Sequence, residues 1–171
     1  MSDLASLIQP VPDFPEPGIL FRDITPLLLE PGGLGGVVDR IAREFAGRGI
    51  DTVAAIESRG FIFGAPLAVA LGCGFVPVRK LGKLPRPTRS REYRLEYGTN
   101  HLEMHEDAVR RGQRVLIVDD VLATGGTARA TVEIVEELGG VVVAAVFLLE
   151  LAALNGRGLL EGREVRALLS Y

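Results

Sequence analysis

VLIVDDVLATGGT, residues 115–127, is the stretch whose reading decides the fold. From Arg114 to Asp119 the residues are almost all β-branched or aliphatic, the pattern of a central parallel strand buried on both faces. The run ends on two acids, Asp119 and Asp120. After Val121, Leu122 and Ala123 come Thr124, Gly125, Gly126 and Thr127, and Thr127 to Leu138 reads as a helix. Glycines let the backbone turn tightly, and the turn leaves successive N–H groups aimed at one spot. The helix N-terminus adds free donors and a partial positive charge. With hydroxyls from Thr124 and Thr127, this loop fits one phosphate monoester.

No lysine follows the glycines, so the nucleotide loop GxxxxGK[ST] is excluded, and no GxGxxG follows a strand. Two carboxylates beside a phosphate would repel it. They make sense facing sugar hydroxyls, which bond strongly to carboxylates, or near a magnesium ion. The plainer alternative is that Asp119 and Asp120 merely cap the next helix.

Outward from this stretch, strands alternate with helices. Gly32 to Arg48 reads as a helix, Thr52 to Glu57 as a short apolar strand, Phe61 to Leu71 as a buried helix and Phe75 to Val78 as a strand. Val141 to Leu149 and Val165 to Leu169 complete the strands, and residues 4–9 suggest a short helix. The prolines at 10, 12, 15 and 17 make the segment after it stiff and extended. The expected fold is α/β, a single domain over residues 1–171 with a central parallel β-sheet flanked by helices. Ligands in such sheets bind beyond the carboxyl ends of the strands. The informative loops are therefore Glu57 to Gly60, Arg79 to Arg94 and Asp119 to Thr127.

The chain has 171 residues, 47% of them hydrophobic, and a net charge of −3, which argues against disorder and against a global field for nucleic acid. Its basic residues are uneven. Arg79, Lys80, Lys83, Arg86, Arg89, Arg91 and Arg94 lie close together with only Glu92 among them, roughly +6 in one stretch. Such a stretch suits a polyanionic small ligand or a nucleic acid strand, or is a solvated loop. Leu95 to Tyr97 and Asn100 to Glu106 suggest a hairpin around Gly98. The single cysteine, Cys73, excludes a disulfide framework. With no signal-peptide pattern and no apolar run long enough for a bilayer, a cytoplasmic setting, no membrane and no nucleic acid partner are expected. His101 and His105 in HLEMH are four apart, but the order is not HExxH and no third ligand is evident.

VLIVDDVLATGGTA resembles the phosphoribosyl-diphosphate (PRPP) signature of type I phosphoribosyltransferases, with residues 115–127 as the PRPP motif. PDFPEPGILFRDITPLL, within a segment of about residues 10–30, is similar to the N-terminal signature of the adenine phosphoribosyltransferases. RKLGK (79–83) and LEYG (95–98) match two further family segments. The resemblance runs from Pro12 to about Arg157. It implies that Asp119 and Asp120 hold the ribose hydroxyls and that Ala123, Thr124, Gly125, Gly126 and Thr127 hold the 5-phosphate. It implies that Ser58 and Arg59 meet the diphosphate, with the Glu57–Ser58 peptide cis. Arg79, Lys80 and Lys83 would add cations, across a dimer interface in some arrangements.

For the base, the resemblance places Phe21 against the purine face, with Leu20 and Arg22 at the ring edge. The bland reading of that segment is a strap sealing the sheet. Glu96 would act as general acid or base on the purine imidazole nitrogens, and Tyr97 would help the loop close. Residues 79–105 form, on this reading, a mobile basic loop and hairpin, and residues 10–30 a base-binding hood. The implied reaction joins adenine to PRPP and gives AMP and diphosphate, with Mg2+ held mainly through PRPP, in a homodimer. Another purine base, or a non-enzymatic PRPP-sensing regulator, are the rival readings. Arg86 stands where relatives often have glycine, and residues 158–171 carry no motif.

Overall fold

A computed structural model describes residues 4–94 and 99–171 of the chain. Its centre is a seven-stranded sheet. The strands are β3 (Thr52–Ile56), β4 (Gly74–Lys80), β5 (Thr88–Arg94), β6 (Thr99–His105), β7 (Arg114–Leu122), β8 (Val141–Glu150) and β9 (Val165–Ser170), in the order β5-β6-β4-β3-β7-β8-β9. From β4 to β9 all neighbours are parallel, and β6 runs antiparallel to both β4 and β5. The expected parallel sheet is there, with an antiparallel hairpin added at one edge.

Period-2 alternation assigns each strand residue to a face. Val115 and Ile117 of β7 join Ile56, Val78 and Phe147 under helix α4 (Gly126–Glu137), which contributes Val132 and Val135. Leu116 and Val118 join Val53, Val146 and Leu148 on the other face. There they meet α2 (Gly33–Phe45) through Val37, Ile41 and Phe45, and α3 (Gly60–Leu71) through Phe63 and Leu67. Strand β3 is buried at all five positions, which is why it reads as a continuous apolar run.

The chain leaves β3 toward β4 on one side and returns to place β7 on the other. The order reverses between β3 and β7, and their carboxyl ends frame a crevice there. The residues at that mouth are Glu57 to Arg59 and Asp119 to Thr127.

Several expectations shift. Residues 4–9 are not one helix: a 3-10 turn covers Leu4–Leu7, and Gln9 already belongs to β1 (Gln9–Pro12). β1 pairs antiparallel with β2 (Leu20–Asp23), so the proline-rich segment is a two-stranded ribbon, where prolines are tolerated because only one edge is paired. A short helix α1 (Thr25–Leu29) follows, with Thr25 N–H donating to Asp23 Oδ1 at 2.9 Å and a proline in its first turn. The helix expected to reach Arg48 stops at Phe45, and Arg48 instead forms a two-pronged pair with Glu164.

The basic stretch is also not a loop throughout. Thr88–Arg94 is strand β5, registered with β6 from Thr88 opposite His105 to Arg94 opposite Thr99. The hairpin arms are thus these two strands. The expected arm Leu95 to Tyr97, with Gly98, lies outside the described residues.

Candidate active site

A cleft of about 340 Å³ opens at the mouth between β3 and β7. It is lined by Leu20, Phe21 and Arg22 from β2, by Ser58 and Arg59 after β3, by Asp119 and Asp120 of β7, and by Ala123 and Thr127 of the glycine loop. Nine of the residues expected from sequence therefore meet in one place. Thr124, Gly125 and Gly126 complete the loop between two of them.

The loop is built by close backbone packing. Gly125 caps α4 with φ +85, and a Cβ there would lie 2.4 Å from Gly156 O. A Cβ on Gly156 would in turn lie 2.2 Å from Ala123 O. Only glycine fits either position. No side chain caps α4, which removes the reading of Asp119 and Asp120 as helix caps. Among the described residues, no N–H from Thr124 to Ala128 donates a hydrogen bond within the chain, so these donors are available to an anion.

The acid pair sits in a demanding place. Asp120 is only 3% exposed. Arg59 Nε lies 2.7 Å from Asp120 Oδ2, yet that oxygen accepts no well-aligned hydrogen bond among the described residues. The contact is one of charge, and it leaves the oxygen's lone pairs open. Asp119 Oδ1 accepts from Asp120 N–H at 2.9 Å. Burial pushes the Asp119 carboxyl well above its usual range, and the negative charge of Asp120 adds to this. Burial also raises Asp120, with the Arg59 guanidinium opposing it. Two crowded carboxylates, one with an orphaned oxygen, are built to meet hydroxyl donors or a cation.

Arg59 links the acids to the aromatic wall. Its guanidinium stands 5.5 Å from the Phe21 ring, and Phe14 packs edge-on against Phe21 at 5.1 Å. Arg22 stacks over Tyr171 at 4.1 Å. The Glu57–Ser58 peptide is cis, as the resemblance implies.

Arg79, Lys80 and Lys83 do not line the cleft. Arg79 donates from Nε and a terminal nitrogen to Glu57 at 3.1 and 3.3 Å, and from another to Lys83 O at 3.0 Å. Burial alone would raise the Glu57 carboxyl, but Arg79 and the Lys80 N–H outweigh it and hold it below its usual range. Lys80 and Lys83 are exposed. Glu96 and Tyr97 lie outside the described residues.

Sequence reasoning missed Ile19, Val121 and Leu151 in the lining, Gly156 behind the loop and Tyr171 beneath Arg22. Gly156 and Tyr171 had no local signal, since their roles exist only through tertiary packing. HLEMH lies on β6, where four residues span about 13 Å, so His101 and His105 cannot share an ion as they would on a helix. No group of three or more metal-capable side chains occurs among the described residues.

A doubly covered, mostly parallel sheet with a buried acid pair, a glycine loop of free amides and an aromatic wall at its switch point is the arrangement of a type I phosphoribosyltransferase. The phosphoribosyl transferase domain family matches residues 34–159. An adenine phosphoribosyltransferase of Gloeobacter violaceus is 58% identical over 170 residues, covering 99% of each chain. The solved adenine phosphoribosyltransferase of Thermoanaerobacter pseudethanolicus superposes with a TM-score of 0.95 at 52% identity, covering 98% of each chain. That of Saccharomyces cerevisiae, complexed with an imino-altritol bisphosphate and adenine, gives 0.89 at 41% identity, covering 95% of this chain and 94% of its own. The chain belongs to the phosphoribosyltransferase family and, within it, to the adenine phosphoribosyltransferases.

Proposed function

We propose that the cleft carries out 5-phosphoribosyl transfer from PRPP to adenine through the residues gathered in it. The N–H groups of Thr124 to Thr127 receive the 5-phosphate, and Asp119 and Asp120 accept hydrogen bonds from the ribose hydroxyls. Ser58 and Arg59 take the diphosphate. Phe21 stacks on the purine while the Leu20 backbone and Arg22 read its edge. Glu96 manages the proton of the attacking nitrogen, and Tyr97 helps cover the site. The single observation that carries this reading is the buried Asp120 oxygen with no aligned donor, beside a loop of free amides.

The residues also suit Mg2+ delivered with the substrate. The orphaned Asp120 oxygen and its neighbour fit a hard cation, while a dedicated ligand cage is absent among the described residues. When bound, the ion neutralises charge on the leaving diphosphate. In this reading Arg59 turns from Asp120 to the diphosphate once the ribose hydroxyls occupy the acids. The aromatic ribbon and the hairpin exclude water, which would otherwise capture a ribosyl-cation-like transition state.

A homodimer working in the cytoplasm is part of the proposal. Its support is α3, whose sequence is apolar around its whole circumference, although Val69 is 83% exposed. No helix among the described residues is long and apolar enough to cross a membrane.

The test is a diphosphate-release assay with competing bases. Adenine offers an amino donor where 6-oxo purines offer an acceptor, so a site built for one rejects the other strongly. Adenine should be used at least 100-fold better than hypoxanthine or guanine. Equal use of a 6-oxo purine would overturn the base assignment. Loss of all turnover, with retained PRPP binding and nucleic acid binding in a filter assay, would favour a regulator.

A further inference from the structure

HLEMH takes no part in the cleft, yet it holds Glu103, an acid as deeply buried as Asp120. Glu103 is 2% exposed. Its Oε1 accepts from the Lys83 N–H at 2.9 Å and the Leu84 N–H at 3.0 Å, and its Oε2 accepts from the Thr88 hydroxyl at 3.2 Å. Glu103 makes no ion pair among the described residues. A buried carboxylate without a counter-ion is expensive, and an apolar residue would fill a strand interior more cheaply. What the chain gains is a fixed course for residues 83–88, at the point where β6 pairs with Arg79 of β4 and Ser90 of β5.

The opposite end of the same turn is held in the same way. Glu57 accepts from the Lys80 N–H at 3.1 Å and from Arg79, and Arg79 reaches across to Lys83 O. Two carboxylates thus bracket residues 79–84. The charges in this region also sort themselves. Arg79 pairs with Glu57, Arg86 with Asp107, Arg89 with Glu106 and Glu137, and Arg91 with Glu133 and Glu137. Lys80 and Lys83, the chain's only lysines, make no ion pair among the described residues. Both are exposed and open to a polyanion.

We propose that Glu103 is a positioning residue for PRPP binding: by holding the Lys83 and Leu84 amides, it presets the backbone that aims the Lys83 ammonium at the diphosphate. This rests on the reading that Lys83 meets the diphosphate. Both amides bond the same oxygen, so glutamine can replace the glutamate: its carbonyl accepts from both amides, and its amide donates to the Thr88 oxygen. Leucine can do neither.

The experiment compares Lys83→Ala, Glu103→Leu and Glu103→Gln by KM for PRPP and for adenine. Lys83→Ala and Glu103→Leu should each raise the PRPP KM at least 10-fold and move the adenine KM less than twofold. The double variant should be no worse than Lys83→Ala alone. Glu103→Gln should stay within about threefold of wild type, because the role needs an acceptor rather than a charge. If Lys83→Ala leaves the PRPP KM unchanged, the reading of Lys83 falls. If Lys83→Ala raises it and Glu103→Leu does not, the Glu103 assignment alone falls, and equal rises in both KM values overturn it as well. Amide hydrogen exchange on the wild-type enzyme keeps the question open to refutation even if Glu103→Leu does not fold. The Lys83 and Leu84 amides should be protected relative to Gly82, and unprotected amides there would overturn the assignment.

Discussion

Burial disfavours the charged forms of Asp119 and Asp120, and the charge of Asp120 adds to this at Asp119, so the site is held at the expense of stability. An acid whose folded-state pKa is raised favours the protonated chain. The folded state is then most stable, in this respect, below the ordinary value of 3.8, and loses stability as pH rises through the raised value. Asp119→Asn should therefore melt about 2–4 °C above wild type at pH 7, the shift that roughly 1 kcal/mol gives a chain of this size. The gain should disappear below about pH 3.8, and a melting series across pH checks both limbs. The same change joined with Asp120→Asn should lower turnover by orders of magnitude while far-UV circular dichroism stays native. Wild-type turnover in the double variant would discard the ribose assignment. Gly125 makes the complementary case. With φ +85 and a Cβ forced to 2.4 Å from Gly156 O, Gly125→Ala should destabilise by more than about 1 kcal/mol and raise the PRPP KM, read by melting and steady-state kinetics.

At the scale of elements, the ion pairs between β5 and α4 have a different weight. Arg89 and Arg91 and their glutamate partners are each about a third to a half exposed, so water and salt screen them. Arg89→Ala and Arg91→Ala should each cost less than about 1 kcal/mol in denaturant unfolding. What these pairs do is lay the hairpin stem along the helix that begins at the glycine loop. This arrangement also explains what could be read beforehand. Strand β7, the glycine loop and α4 are legible because a buried β-branched run, two glycines and a helical period coincide in consecutive residues. The charge run at 79–94 misleads, because its neutralising acids Glu57, Glu106, Glu133 and Glu137 come from other elements. The ribbon β1–β2 is hidden by its prolines, which suppress strand signals although only one edge needs donors. Tyr171 beneath Arg22 and Gly156 behind the loop depend on contacts across the fold, which no local window contains.

At the scale of the whole molecule, the cleft holds the acids, the glycine loop and the aromatic wall, while the two lysines, without an ion pair among the described residues, stand outside it. The loop that carries them begins at the end of β4, the strand that bears Phe75, and includes Leu81, 57% exposed. Val69 of α3, Phe75 and Leu81 are exposed apolar groups of the surface. A self-complementary pairing of two chains through such a surface would cover the apolar residues and could offer each copy's lysines to the other's cleft. Val69→Asp should then shift the protein to a monomer in sedimentation and raise the PRPP KM together. Mixed dimers decide whether the lysines act across the interface. A chain carrying Lys83→Ala keeps its acids, and a chain carrying Asp119→Asn with Asp120→Asn keeps its lysine. Unfolded together in equal amounts and refolded, they form mixed dimers as half the population, each with one complete site if Lys83 serves its partner. At PRPP concentrations below the KM, activity should recover to about a quarter of wild type. If Lys83 serves its own chain, no mixed dimer contains a complete site, and activity stays at the average of the two parents.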